Sequence, residues 1–205
     1  MPSLDEIRLA LAAHAPVTVH DAALRRAAVA MVLRGASCAP EVLFIERAER
    51  SGDPWSGHMA FPGGRIEPVD ASERGAAERE AREEVGLDLR GAERLGRLDD
   101  LHGQRAAGVP KLLISAFVYH LADPPPLAPN REVRDAFWFP LTELHRVERH
   151  VPWRIPGYEA APFPGILVGE PSRQVVWGLT YRFLEVFFRA VGRPLPDRWA
   201  ELGAR

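Results

Sequence analysis

The sequence has one cysteine and one lysine among its 205 residues. A single thiol, Cys38, excludes an intrachain disulfide framework and a thiolate zinc cluster. With Lys111 as the only lysine, nearly all positive charge is arginine. Arginine suits bidentate phosphate contacts, although codon bias explains the same composition. Charge of one sign is also scarce: a formal net charge of −2 gives no electrostatic argument for nucleic acid or an anionic membrane as partner. No run approaches the ~18 apolar residues of a transmembrane helix. The opening Met1-Pro2-Ser3-Leu4-Asp5-Glu6 lacks the basic and apolar regions of a secretory leader, so a cytoplasmic protein is expected. Repeats and low-complexity segments are missing too. What is plentiful is apolar, 46% of the chain, enough to bury a core as a single domain over 1–205.

The pattern predicts mixed α/β structure. Ser3 and Glu6 have the form of a capping box opening a short helix that Pro16 ends; 1–25 serves as helix and lead-in. Ala27 to Leu33 is a continuous apolar run of strand length, and Glu41 to Arg47 reads as its hairpin partner. His58 to Phe61 forms a short strand entering a Pro62-Gly63-Gly64 turn, and Arg65 to Ala71 a loop. Ser72 caps a helix that runs to Val85 and stops at Gly86. Leu95 to Leu101, Lys111 to Leu121, Ala136 to Phe139 and Ile166 to Val168 are strand candidates, and Leu141 to Val147 a short helix. Pro152 to Gly165, with four prolines and two glycines, reads as a long irregular loop. A C-terminal helix over 173–191 is apolar on most sides, which suits packing on the core or in a homodimer.

The most informative stretch is Arg79-Glu80-Ala81-Arg82-Glu83-Glu84-Val85-Gly86-Leu87, preceded by Gly63-Gly64. Helical spacing places Glu80, Glu83 and Glu84 on one face. Like charges so placed repel by a few tenths of a kcal/mol per pair, about 0.2–0.5. A hard divalent cation with oxygen ligands would compensate. The bland alternative is a solvated helix braced by the i, i+4 pairs Arg79 with Glu83 and Glu78 with Arg82, but it leaves the glycine turn and glycine stop unexplained.

This stretch resembles the Nudix box. Its second half matches at every fixed position, with Ala81 as the apolar one. Its first half departs, because Gly64 lies fifteen positions before Arg79 where fourteen is common. The spaced glutamate is therefore out of register, with Glu67, Asp70 and Glu73 as candidates for its role. That spacing, together with Arg47, Gly57, Phe61-Pro62-Gly63-Gly64 and Asp70, is similar to the coenzyme A pyrophosphatase-like subfamily. Ala48 and Ser56 depart from it, standing where serine and histidine are typical. Asn130-Arg131-Glu132-Val133, Phe137 to Leu141 and Trp177 to Thr180 extend the likeness, which covers roughly 27–190.

The resemblance implies an α/β/α sandwich with a mixed sheet, and hydrolysis of a pyrophosphate in a small-molecule nucleotide derivative with Mg²⁺ or Mn²⁺. Carried over, Glu80, Glu83, Glu84 and the Gly63 carbonyl are the metal ligands, and Arg79 orients the glutamates. The general base is Glu80, Glu83 or a later acid, for which Glu132 is the candidate. Arg47 and Arg65 are candidate phosphate ligands and His58 a candidate substrate contact, each with a purely structural alternative. Trp153, Tyr158 and Phe163 either stack on a base or cover the core. Coenzyme A or an acyl derivative is the expected substrate, with ADP-ribose, NADH and dinucleoside polyphosphates as alternatives. A non-catalytic nucleotide-binding module is the contrasting reading, disfavoured because all box glutamates are present.

Overall fold

The computed structural model describes residues 2–21, 23–36, 38–50, 56–103, 112–154 and 162–197. Two strands in the middle of the sheet set its plan. Strand β1 (Arg25–Arg34) and strand β7 (Leu112–Leu121) pair in parallel over ten rungs, from Arg25 opposite Leu112 to Arg34 opposite Leu121. Both are almost continuously apolar, as parallel strands covered on both faces must be. Strand β2 (Glu41–Arg47) returns antiparallel to β1, with Leu33 opposite Val42. Around this centre stand β3 (Met59–Ala60), β4 (Gly63–Arg65), β5 (Glu93–Arg97), β6 (Leu101–Gly103) and β8 (Val133–Pro140). The main path runs β3-β2-β1-β7-β5, with β4 on β1, β6 on β7 and β8 on β2.

Period-two alternation divides the core into two layers. Ala28, Ala30 and Val32 of β1 face helix α2 (Glu73–Val85), and Ala27, Met31 and Leu33 face the opposite layer. There, helix α1 (Leu4–Ala13) contributes Leu4, Ile7 and Leu11, and helix α3 (Gly178–Ala190) contributes Tyr181, Phe183, Leu184, Phe187 and Phe188. Each such leucine, isoleucine or phenylalanine, when fully buried, contributes about 1.5–3 kcal/mol. The expected α/β/α sandwich with a mixed sheet is what the chain forms. The capping box is present: Ser3 Oγ accepts from the Glu6 N–H at 3.3 Å, and Glu6 Oε2 accepts from the Ser3 N–H at 2.6 Å.

Several local expectations change; Leu95 to Leu101, expected as one strand, is divided between β5 and β6, with 98–100 in neither. Gly63, Gly64 and Arg65 are strand β4 rather than turn and loop, since β1 offers them an antiparallel edge at Ala27 to Val29. The ends of the Pro152–Gly165 stretch are strands: β9 (His150–Trp153) and β10 (Phe163–Leu167) pair directly, while Tyr158 lies outside the described residues. A third strand, β11 (Val175–Trp177), adds to β10, so α3 begins at Gly178 and not near Arg173. The segment after Pro140 is two 3₁₀ turns, Leu141–His145 and Val147–Arg149, separated by Arg146 in an extended conformation at φ −68°, ψ 118°.

Candidate active site

Helix α2 is short, acidic and fixed at both ends. Ser72 Oγ accepts from the Gly75 N–H at 3.0 Å, and Gly86 sits at φ +75°, the left-handed conformation that glycine adopts most cheaply. Three alanines, Ala76, Ala77 and Ala81, are fully buried and let the helix lie close to the sheet. That closeness brings the helix's acids to β4. Glu84 Oε2 accepts from the Gly63 N–H at 2.8 Å, and a methyl group on Gly64 would lie 2.5 Å from Glu80 Cδ.

Arg79 holds this corner together. Its Nε and Nη2 donate to Asp70 Oδ1 at 2.9 Å and Oδ2 at 3.0 Å, a two-pronged pair that depresses the Asp70 pKa. Its Nη1 donates to Glu80 Oε1 and Glu83 Oε2, both at 3.0 Å, and Nη2 also reaches the Arg65 carbonyl at 3.1 Å. Among the three candidates for the displaced box glutamate, Asp70 is therefore the one that pairs with Arg79. Glu73 instead meets Arg26 at 2.8 Å, and the Glu67 N–H donates to Asp70 Oδ2 at 2.8 Å.

The acids are uneven. Glu83 is exposed and Glu80 intermediate, but Glu84 is 2% exposed. Burial pushes the Glu84 carboxyl up to about 7, and the nearby Glu80 and Glu132 charges add to the rise. The Gly63 N–H and Arg47, whose Nη1 is 4.0 Å from Glu84 Oε1, oppose it. Burial also raises Glu80, Arg79 restrains it, and Glu83 and Glu132 push it further. Glu132 thus faces both acids from outside the helix. It does so because the Asn130 and Ala128 N–H groups donate to the Glu84 and Val85 carbonyls, each at 2.9 Å, docking the preceding loop on the last turn of α2.

Gly63, Arg79, Glu80, Glu83, Glu84 and Arg47 are therefore gathered at one place, with Glu132 opposite. Arg65 joins them through its carbonyl. His58, just before β3 and so outside the strand expected to start with it, lies beside Arg47, its carbonyl accepting from the Arg47 N–H at 3.1 Å, and its ring meets Trp177 edge-on at 4.6 Å between centroids. Trp177 in turn lies 5.5 Å from Phe163, the cross-strand partner of Trp153. His120, His145 and His150 bond to the Gly35, Arg193 and Leu144 carbonyls, respectively, in keeping with structural roles.

Two participants carry no sequence signal. Arg50 donates to Glu132 Oε1 at 2.8 Å. Glu46, fully buried, pairs with Arg173 and accepts from Gln174 Nε2 at 3.0 Å. Glu78, on the same helix as the box glutamates, accepts from the Tyr119 hydroxyl at 2.9 Å.

Among the described residues, no three His, Cys, Asp or Glu side chains form a ready-made ligand set. Arg79 holds an oxygen of both Glu80 and Glu83. The donor chemistry nevertheless fits a hard cation. Among the described residues, one oxygen of a buried, charge-crowded Glu84 has the Arg47 guanidinium 4.0 Å away, and Glu80 is crowded by two further carboxylates.

A glycine-walled strand, an acidic helix and a mixed sheet between helical layers make up the arrangement that the Nudix resemblance implies. A family profile described as NUDIX domain matches residues 24–161, and the chain belongs to that family. A relative from Citrobacter koseri named "Uncharacterized Nudix hydrolase NudL" is 30% identical over 159 residues, covering 76% of this chain and 78% of its own. The human "Mitochondrial coenzyme A diphosphatase NUDT8" is 35% identical over 158 residues, 75% of this chain and 64% of its own. A Schizosaccharomyces pombe relative, "Uncharacterized protein C14C4.10c", is 44% identical over 109 residues, 51% of this chain. The chain's match spans only 33% of that protein and just under two thirds of the human one. A solved MutT/nudix family protein from Enterococcus faecalis shares the fold, with a TM-score of 0.53 at 18% identity over 98% of this chain and 75% of its own. No helix among the described residues is long and apolar enough to cross a membrane.

Proposed function

We propose that this chain, acting as one domain, is a metal-dependent diphosphatase whose substrate is coenzyme A or an acyl-coenzyme A. The observation that carries the reaction is the convergence of Gly63, Glu80 and buried Glu84 beside Arg47, with Glu132 facing them. The substrate is read from the activity named for the human relative and from the Arg47, Phe61-Pro62-Gly63-Gly64 and Asp70 pattern.

Glu80, Glu83, Glu84 and the Gly63 carbonyl would hold Mg²⁺ or Mn²⁺. When bound, such ions neutralise diphosphate charge and lower the pKa of water. The chain's own residues do the rest. Arg79, clamped by Asp70, holds Glu80 and Glu83 in orientation. Arg47 lies where a phosphate oxygen arriving beside Glu84 would meet a guanidinium. Glu132 accepts the proton as water attacks phosphorus. The P–O bond to the other phosphate breaks, leaving a phosphopantetheine and an adenosine bisphosphate.

The test is hydrolysis of a panel of coenzyme A, acetyl-coenzyme A, ADP-ribose, NADH and diadenosine polyphosphates with Mg²⁺ or Mn²⁺, for wild type and Glu83→Gln. Coenzyme A should lead the panel, and turnover should collapse in the variant. Another nucleotide in the lead would keep the chemistry and refute the substrate. No turnover with either metal would refute the enzyme and favour a binding module.

A further inference from the structure

Glu132 is held by a segment that carries no catalytic motif. Its carboxylate takes the Arg50 guanidinium at 2.8 Å through Nη2. Its main chain is fixed as well: the N–H donates to Asn130 Oδ1 at 2.7 Å, and the carbonyl accepts from the Ala48 N–H at 2.8 Å. Ala48 and Arg50 belong to one short segment leaving β2. Ser56 ties that segment off, its Oγ accepting from the Arg50 N–H at 2.6 Å and donating to the Ala48 carbonyl at 3.4 Å. The carbonyl and the head group of Glu132 are thus both held from the 48–50 segment, by Ala48 and Arg50.

We propose that Arg50 is the positioning residue for Glu132, holding its carboxylate toward Glu80 and Glu84. The inference rests on the reading of Glu132 as the proton acceptor. A glutamate side chain has three rotatable bonds, and Glu132 is partly exposed, so packing does not select its rotamer. The Arg50 hydrogen bond does. A misplacement of about 1 Å in a reacting group costs as much as about 100-fold in rate. The competing role for Arg50, direct contact with a substrate phosphate, would act on binding and would not need Glu132.

The experiment is a double-mutant cycle with Arg50→Ala, Glu132→Gln and the combined variant, with Arg50→Lys as a second probe. It is run on the substrate that leads the panel, with urea midpoints to confirm folding. Arg50→Ala should lower kcat by about 30- to 100-fold with KM held within about twofold. Arg50→Lys should recover part of the loss, because lysine keeps the charge without the fork. In the Glu132→Gln background, loss of Arg50 should change nothing further. An equal loss in both backgrounds, or a raised KM with kcat intact, would overturn the proposal while leaving Glu132 as the base. A Glu132→Gln enzyme with normal kcat would refute the underlying reading, and the positioning role would fall with it.

Discussion

Gly63 and Gly64 are adjacent, both lie on β4, and alanine at each should fail in a different way. At Gly63 an added methyl would fall on the Ala28 carbonyl and within 2.6 Å of Val29 Cα and 2.7 Å of Val29 Cγ1. Carbon atoms pack at about 3.5–4.0 Å, so β4 would have to move about 1 Å off β1. The obstacle is mostly backbone inside a three-rung pairing, which cannot rotate away. Gly63→Ala should cost near the upper end of overpacking, about 3 kcal/mol. At Gly64 the methyl meets the carboxylate end of Glu80 instead, which can change rotamer. The stability cost there should be about 0.5–1.5 kcal/mol, the price of an off-rotamer side chain. Turnover, however, should fall by about 100-fold because Glu80 is displaced. Urea unfolding followed by tryptophan fluorescence, paired with steady-state hydrolysis, separates the two effects. A Gly64→Ala protein with normal turnover would show that the Glu80 position does not matter to the reaction. A Gly63→Ala protein of normal stability would contradict the packing of β4 on β1.

Glu84 makes stability pH-dependent. Its carboxyl is raised to about 7 in the fold from an ordinary value of 4.5, so the native state binds more protons than the unfolded chain between those values. Stability is then fully supported at low pH and lost as pH rises through about 7, by about 3 kcal/mol at most. Thermal unfolding in a chelator from pH 5 to pH 8 should show this decline, and Glu84→Gln should flatten it; an unchanged slope in the variant would refute the assignment. Glu46→Ala should cost about 2 kcal/mol, since Arg173 and the Gln174 amide lose their buried acceptor. Urea titration should reveal that loss, and a neutral result would mean that water replaces the carboxylate.

The sequence spoke most clearly where local chemistry alone decides structure. Ser3 with Glu6, Ser72, and Gly86 each fix a helix end through contacts within a few residues, so spacing was enough to place them. The acidic face of α2 was equally visible, because 3.6-residue periodicity needs no partner. Contacts across the chain were not. Nothing near Gly63 announces that β1 will take it as an edge strand, so a pair of glycines looked like a turn. Nothing near Gly165 announces the β9–β10–β11 sheet, so prolines that sit in its strands looked like loop. The partners of Glu132 and Glu46, Arg50 and Arg173, are ordinary surface-type arginines until distant segments meet them. Asp70 was visible as one of three candidates, and only the bidentate geometry with Arg79 selects it.

The long parallel pairing of β1 with β7 has a kinetic meaning. Every one of its ten rungs joins the first part of the chain to the second, across the whole stretch that contains β4 and α2. Closing such a loop costs entropy before any contact repays it, so folding should be slow for the chain's size. Until β7 arrives, β1 has only its hairpin with β2 and the short β4 edge to hold it. The acid-bearing helix would then rest on half a sheet. During synthesis the motif emerges long before the strand that completes its floor, so the capacity for chemistry should appear late and all at once. Refolding followed by tryptophan fluorescence and by recovery of hydrolysis should therefore give the same slow rate.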